Sequence, residues 1–162
     1  MTGAAAYSAL SVRGLRAGYG SGGDIVCGID LDLAPETIMA VIGPNGSGKS
    51  TFVKTIAGLL SMRAGEISVA GKDVGSLSPA KRVAAGLAYV PQEANIFRNL
   101  TIRENLKLAT EFLRGRTGVG LAQETQVLSM FPEIIRRPKT LAGNLSGGQR
   151  QMLAFACALL AN

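Results

Sequence analysis

Glycines, small polar residues and one lysine follow one another between positions 43 and 51. Gly43 to Ser50 fits the pattern G-x-x-x-x-G-K-[ST] of a phosphate-binding loop. Glycine lets consecutive backbone N–H groups point into one concavity, where side chains would block a polyphosphate. Lys49 is expected to reach the terminal phosphates, and the Ser50 hydroxyl is expected to bind Mg²⁺. The predicted phosphate-binding residues are Gly43, Pro44, Asn45, Gly46, Ser47, Gly48, Lys49, Ser50 and Thr51.

Two elements are needed to position this loop. The apolar residues of Ile38–Ile42 precede it without alternation and predict a strand buried on both faces. After the loop, Phe52–Leu60 repeats apolar residues at helical spacing. The helix that starts near Lys49 would direct the positive end of its dipole at the loop. This strand–loop–helix context favours phosphate binding over the alternative, a flexible Gly/Ser turn.

A second candidate anion site is Leu145–Gln149, with the sequence Leu-Ser-Gly-Gly-Gln. A serine hydroxyl, bare glycine N–H groups and the start of a predicted helix, Arg150–Leu160, suit a negative charge. The alternative is an ordinary helix cap followed by flexible glycines.

The other apolar patterns predict strands and a further site position. Leu10–Gly14 and the alternating Ile29–Leu33 predict an antiparallel layer beside the nucleotide core. Leu87–Val90 predicts a second buried strand, which Pro91 would end. Gln92 follows directly, at the place where open α/β sheets locate their ligand sites.

Between Gln92 and the second glycine-rich segment, the patterns are helical. Thr101–Glu104 is a capping box that starts a helix through about Leu113. Leu121–Phe131 predicts another helix, separated from the first by the loop Gly115–Gly120. Consecutive helices without an intervening strand predict a helical insert, about 98–145, in one α/β domain of residues 1–162.

Composition narrows the class of protein. The 162 residues, 47% apolar, can bury a real core as one domain. No apolar run reaches the ~18 residues of a membrane helix, and no secretory signal is visible at the N-terminus. The net charge of +6 is scattered, and its one cluster, Arg136–Lys139, lacks interleaved aromatic residues, so we expect no nucleic-acid partner. Cys27 and Cys157 are isolated and expected to be reduced, and the sequence has no histidine.

Gly43–Ser50, Gln92 and Leu145–Gln149 occur in the order and approximate spacing of ATP-binding-cassette (ABC) transporter ATPases. The sequence resembles this family over essentially its whole length. The resemblance implies an α/β fold, the ABC-type cassette of P-loop NTPases, with a parallel core sheet, an antiparallel β layer and a helical insert. It also implies ATP and Mg²⁺ as ligands.

The resemblance assigns roles to matching residues. Tyr19 matches the aromatic residue that stacks on adenine, although a lone tyrosine among glycines is equally well explained by packing. Gln92 matches the glutamine that contacts Mg²⁺ and the attacking water and that senses the membrane domain. Ser146, Gly147 and Gly148 match the signature motif, which completes the ATP site of a second ATPase subunit. Ser146 and Gly148 would therefore clamp the γ-phosphate bound by that partner.

Within the family, Tyr19–Gly20 with its short following loop, and Lys54–Leu60, look most like branched-chain amino-acid importers. The stretch 90–106 fits these importers but also lipopolysaccharide-export and urea-uptake ATPases. The resemblance implies a peripheral ATPase on the cytoplasmic face of the plasma membrane. Its partners would be permease subunits and a second ATPase subunit, identical or different. A soluble ABC ATPase without a transport role and a non-functional fragment are the alternatives.

Two departures from the family pattern affect these expectations. Pro35-Glu36-Thr37 stands where the family has Gly-Glu in a turn, and we expect the turn to be altered. The sequence also stops before the family's apolar strand that ends on an Asp and a Glu, the Walker B motif, and before its switch histidine. We therefore expect weak ATP binding, little hydrolysis, and an exposed apolar edge beside the phosphate-loop strand.

Overall fold

The computed structural model describes residues 8–92, 95–117 and 121–161, without the side chains of 112–117 and 121–123. The chain divides into two compact units, Met1–Leu87 and Ala88–Asn162. The first unit contains the phosphate-binding loop, and the second contains Gln92 and the Leu-Ser-Gly-Gly-Gln segment.

The first unit is built on a four-stranded antiparallel sheet with the strand order β2-β1-β3-β4. Its strands are β1 (Leu10–Ala17), β2 (Val26–Leu33), β3 (Met62–Val69) and β4 (Lys72–Asp73). The predicted antiparallel layer is therefore present. Both β1 and β2 are longer than predicted, because a register shift between Val12 and Leu15 interrupts the alternation that marks a strand in the sequence.

Two helices accompany this sheet: α1 (Lys49–Ile56) follows the phosphate-binding loop, and α2 (Pro79–Ala84) follows β4. Phe52 and Ile56 of α1 pack into the core of the unit, together with buried residues of the sheet. Those sheet residues are Val12, Leu15, Ala17, Val26, Ile67 and Val69. The packing of α1 on the sheet therefore fixes the position of the N-terminus of this helix and of the loop that precedes it.

The predicted strands Ile38–Ile42 and Leu87–Val90 are not strands in the structure. Ile38 is fully exposed and Ile42 is 89% exposed, whereas a strand buried on both faces was expected. A strand needs neighbouring strands to accept and donate its backbone hydrogen bonds, and no strand in residues 8–92, 95–117 or 121–161 pairs with either segment. The apolar residues before the phosphate loop are therefore exposed, but not as the edge of a strand, which was the prediction.

The second unit is helical, with α3 (Ile102–Thr117), α4 (Leu121–Ser129), α5 (Pro132–Ile135), a 3₁₀ turn (Ala142–Asn144) and α6 (Gly147–Leu160). Ile102, Ile134, Leu145 and Leu153 form its core. The capping box of α3 is confirmed, since the Thr101 N–H donates to Glu104 Oε2 and the Glu104 N–H donates to Thr101 Oγ1. The prediction placed the α3 end four residues too early and the α6 start three residues too late. Residues 118–120 of the predicted loop lie outside the described residues.

Over the described ranges, no helix is both long enough and apolar enough to cross a lipid bilayer.

Candidate functional site

The phosphate-binding loop leads directly into α1. Gly48 precedes the helix with a φ of 88°, a left-handed conformation that glycine adopts without steric cost. The first helical hydrogen bond runs from the Phe52 N–H to the Gly48 carbonyl, over 2.8 Å. The N–H groups before Phe52 open the helix and have no partner four residues back within it, so they are available to an anion.

Lys49 is held over the loop that it follows. Its ammonium Nζ donates to the Gly43 carbonyl over 2.8 Å and to the Pro44 carbonyl over 2.7 Å. Ser50 is exposed at the second position of α1, where a hydroxyl can bind a metal ion. Thr51 is only 6% exposed, so its side chain lies inside the unit.

Ile25, a residue that sequence analysis did not identify, also lies against the phosphate-binding loop. A β-carbon on Gly48 would lie 3.1 Å from Ile25 Cγ2 and 3.2 Å from the Ile25 carbonyl oxygen. Ile25 and Lys49 also line one open cavity of about 520 Å³ together with Val41, Gly43 and Pro44. Nothing in the sequence around Ile25 marks it, because the contact depends on the loop that joins β1 and β2.

Tyr19, the predicted base-stacking residue, lies in that same loop. Its side chain is half exposed. Ile25, which ends the loop, donates its N–H to the Ala17 carbonyl over 2.8 Å. The structure therefore brings the loop that carries Tyr19 into contact with the phosphate-binding loop through Ile25 and Gly48.

The other end of α1 is fixed by Arg82 of α2, which is only 3% exposed. Its guanidinium donates to the Thr55 and Ile56 carbonyls over 2.9 and 2.6 Å. It also donates to the Leu77 and Gly75 carbonyls. A cation bonded to the last carbonyls of a helix satisfies groups without helical partners and complements the helix dipole. Arg82 thus anchors the helix whose opposite end forms the phosphate loop.

In the second unit, Ser146 is the N-cap of α6. Its Oγ accepts from the Gln149 N–H over 3.2 Å, and its own N–H donates to Gln149 Oε1 over 3.1 Å. These two hydrogen bonds form a capping box. The Ser-Gly-Gly-Gln segment therefore serves as a helix cap, whatever else it binds. Gly147 and Gly148 are exposed, and a β-carbon on either would meet no atom within 4 Å. The helix start is therefore open to a second molecule.

Gln92 lies on the rim of an open cleft of about 790 Å³, also lined by Gly147, Arg150 and Gln151 of α6. Asn95 Nδ2 donates to Gln151 Oε1 over 2.8 Å and joins the segment after Gln92 to this helix. The structure thus brings together two of the motifs predicted separately, the Gln92 segment and the start of α6.

Beside this cleft, Asn105 fixes the turn that presents Phe97. Asn105 is 4% exposed; its Oδ1 accepts from the Phe97 N–H over 2.8 Å and its Nδ2 donates to the Phe97 carbonyl over 3.0 Å. Ile96 packs on the core of the unit, whereas Phe97 is 61% exposed. Phe97 borders an apolar groove of about 440 Å³ that Leu108 and Cys157 also line. Burial raises the pKa of the Cys157 thiol to about 11, which makes it unreactive at neutral pH.

The comparisons with known proteins agree with this geometry. Residues 26–162 match the family model described as ABC transporter. The chain is 43% identical over 141 residues to the "Probable branched-chain amino acid transport ATP-binding protein LivF" of Archaeoglobus fulgidus, covering 84% of this chain and 57% of that protein. It is 33% identical to the sn-glycerol-3-phosphate import ATP-binding protein UgpC of Burkholderia pseudomallei, covering 94% of this chain and 41% of UgpC. The chain thus spans 57% of the length of the first relative and less than half of the second.

Solved structures show the same relationship. The structure of an ATP-binding subunit of an ABC transporter superposes with a TM-score of 0.78 at 29% identity, covering 94% of this chain and 62% of the other. A nucleotide-free ATP-binding cassette from an ABC transporter matches the fold with a TM-score of 0.79 at 24% identity, covering 96% of this chain and 66% of the other. From the matched family model and the shared fold, the chain belongs to the ABC transporter family.

Proposed function

We propose that this chain binds Mg–ATP as part of an ABC transporter ATPase subunit, in which ATP binding and hydrolysis drive transport. The observation that carries the proposal is the phosphate-binding loop: Lys49 lies over it, and α1 opens from it. The family match over residues 26–162 supports the choice of ATP and of transport. Residues 1–162 would form the N-terminal part of one nucleotide-binding domain, with 98–145 as its helical insert.

In this proposal, phosphoryl transfer is catalysed by positioning and by charge neutralisation. The N–H groups of Gly46 and of residues 48–50, with the Lys49 ammonium, hold the phosphate oxygens, whereas the Ser47 N–H donates to the Pro44 carbonyl. When ATP binds, the Lys49 ammonium replaces its hydrogen bonds to the Gly43 and Pro44 carbonyls with hydrogen bonds to phosphate oxygens. The Ser50 hydroxyl and the Gln92 side chain are oxygen donors of the type Mg²⁺ accepts alongside phosphates, and both are exposed. The metal would neutralise charge on the transferred phosphate. Thr51, being buried, contributes to the site through its backbone.

The signature segment would act on a nucleotide bound by a second ATPase subunit, identical or different. Ser146, Gly147 and Gly148 are exposed at the start of α6, which supports an anion site that is open to a second molecule. An arrangement of two cassettes would place Ser146 and Gly148 on the γ-phosphate held by the partner's loop.

Permease subunits are the proposed membrane partner, which would locate the protein peripherally on the cytoplasmic face of the membrane. The apolar groove bordered by Phe97 supports a contact with a helix of such a subunit. Branched-chain amino acids are the proposed cargo, supported by the relative named for their transport. A 32% identical relative, RbsA of Geobacillus kaustophilus, is named for ribose import, so the choice depends on the higher identity of the first.

The test is isothermal titration calorimetry of Mg–ATP against the chain and its Lys49→Ala variant. We expect the substitution to weaken binding about 10- to 100-fold, because charge-assisted hydrogen bonds contribute about 1.5–3 kcal/mol. Lys54→Ala is the matched control, since Lys54 lies in the last turn of the same helix. We expect its affinity to stay within about twofold of that of the unaltered chain.

Circular dichroism of each variant establishes that it is folded. Equal weakening by the two substitutions would show that ATP does not bind at the loop. A folded, unaltered chain that releases no heat with Mg–ATP would rule out the proposed function.

A further inference from the structure

The loop between β1 and β2, residues 18–25, is held by two arginines that no motif includes. Arg63 Nη2, from the start of β3, donates to the Gly20 carbonyl over 2.8 Å, and Arg63 Nη1 lies 3.0 Å from Asp24 Oδ1. Arg16 of β1 donates from Nε to Asp24 Oδ2 over 2.7 Å. The Asp24 side chain is 16% exposed, so this ion pair is partly shielded from solvent. The hydrogen bond from Arg16 also lowers the pKa of Asp24, which is ionised at neutral pH.

The guanidinium of Arg63 also packs on the backbone of the loop. A β-carbon on Gly18 would lie 3.4 Å from Arg63 Cζ and would collide with the Gly23 carbonyl oxygen. Gly20 has a φ of 53°, and the Gly22 N–H donates to the Tyr19 carbonyl over 3.3 Å. Loops this rich in glycine are flexible by default, so the contacts from Arg63 help to restrict its conformation, together with the Arg16–Asp24 ion pair and the loop's own backbone hydrogen bonds.

The fixed loop lies against the phosphate-binding loop. Ile25, the residue after Asp24, lies so close to Gly48 that a β-carbon there would be crowded, at 3.1 Å from Ile25 Cγ2. Tyr19 lies at the other end of the same short loop and keeps its ring half exposed. A nucleotide whose phosphates are held near Gly48 would therefore have its base within the region that this loop borders.

We propose that Arg63, with Asp24, is a positioning residue that holds Tyr19 in place for the base of a bound nucleotide. The inference rests on the proposed binding of ATP and adds to it a residue outside the motifs. Arg63 contributes to base recognition only through Tyr19 and leaves the grip on the phosphates unchanged. Stacking of a base on an aromatic side chain that is already in place strengthens binding by about tenfold or more. Part of that gain is lost when the loop must be ordered on binding.

The experiment compares two ligands that share their phosphates but not their base, Mg–ATP and Mg–tripolyphosphate. For the unaltered chain we expect ATP to bind at least about tenfold more tightly. Arg63→Met, which keeps the aliphatic stem, should weaken ATP about three- to tenfold and leave tripolyphosphate within about twofold. Tyr19→Leu should remove the preference for ATP altogether.

Arg13→Met is the matched control, because Arg13 of β1 also forms an ion pair with an aspartate, Asp32, 2.5 Å away; this pair is more exposed than that of Arg63 and lies outside the loop. We expect it to change neither affinity by more than about twofold. A spectroscopic readout separates positioning from stability: the chain has three tyrosines and no tryptophan, so stacking on Tyr19 should quench tyrosine emission with ATP and not with tripolyphosphate. Arg63→Met should reduce this quenching at saturating ATP, which a general loss of stability would not do.

Each outcome decides one question. Binding of neither ligand by the folded chain would contradict the proposed function itself. Equal binding of both ligands, or an unchanged preference in Tyr19→Leu, would show that Tyr19 does not contact the base and would overturn this inference alone. Parallel weakening of ATP and tripolyphosphate in Arg63→Met would overturn it as well, because Arg63 would then act on the phosphate loop.

Discussion

Glu36 has a backbone φ of 58°, in the left-handed region that costs an L-residue about 1–2 kcal/mol. It occupies the turn in which the family has Gly-Glu. Glu36 thus carries a side chain in a conformation that favours glycine, which adds strain at this residue. Local strain of this kind is invisible to hydrophobic patterning, which reports burial and not backbone dihedral angles.

We expect Glu36→Gly to raise the free energy of unfolding by about 1 kcal/mol, because glycine adopts a positive φ without steric cost. Urea denaturation followed by circular dichroism measures the change. Glu66→Gly is the control: Glu66 is exposed within β3, where glycine should lower stability by about 0.5–1 kcal/mol. A loss of stability in both variants would show that Glu36 is not strained in solution.

At the scale of elements, the starts of α3 and α6 are each fixed by a capping box, at Thr101 and at Ser146. Both boxes use a Ser/Thr followed three residues later by Glu or Gln, a local signal. The α3 box was predicted from that spacing. The same spacing, Ser146 to Gln149, is present for α6, but the helix was predicted to start only at Arg150. Glycine at the first helical positions is tolerated because the cap supplies the missing hydrogen bonds.

We expect Ser146→Ala to lower the free energy of unfolding by about 1 kcal/mol, since the Gln149 N–H loses its acceptor. Ser146→Thr should retain most of the stability. Ser129→Ala is a matched control: the Ser129 hydroxyl donates to the Gln126 carbonyl near the end of α4 and caps no helix start. Amide hydrogen exchange at Gln149 gives the direct measurement. Unchanged protection in Ser146→Ala would show that the hydroxyl does not cap the helix.

At the scale of the whole molecule, local signals predicted the antiparallel sheet and most of the helices, while the two buried strands were wrong. Residues 38–42 have the composition of a buried strand, but burial depends on neighbours from elsewhere in a chain, which their own sequence does not report. The phosphate loop could be predicted because its chemistry lies in consecutive residues. Ile25, Arg63 and Arg82 could not, because each acts on residues more than 20 positions away.

We expect Ile38→Lys to change the free energy of unfolding by less than about 0.5 kcal/mol, because Ile38 is fully exposed. The same substitution should reduce binding of a hydrophobic dye and self-association, since it places a charge within an exposed apolar segment. Ile67→Ala calibrates the assay: Ile67 is fully buried, and its truncation should cost about 2–5 kcal/mol. A cost for Ile38→Lys above about 2 kcal/mol would show that residues 38–42 are buried in solution.

The two carbonyl contacts of Lys49 bear on the thermodynamics of ligand uptake. A free lysine side chain carries about 2 kcal/mol of rotamer entropy, which a cation normally surrenders when it meets its anion. Here the hydrogen bonds from Lys49 to the Gly43 and Pro44 carbonyls already immobilise the four methylenes. The rotamer entropy of Lys49 is therefore lost on folding and not on nucleotide binding. Nucleotide capture then trades one set of oxygens for another, and its entropy change is correspondingly smaller.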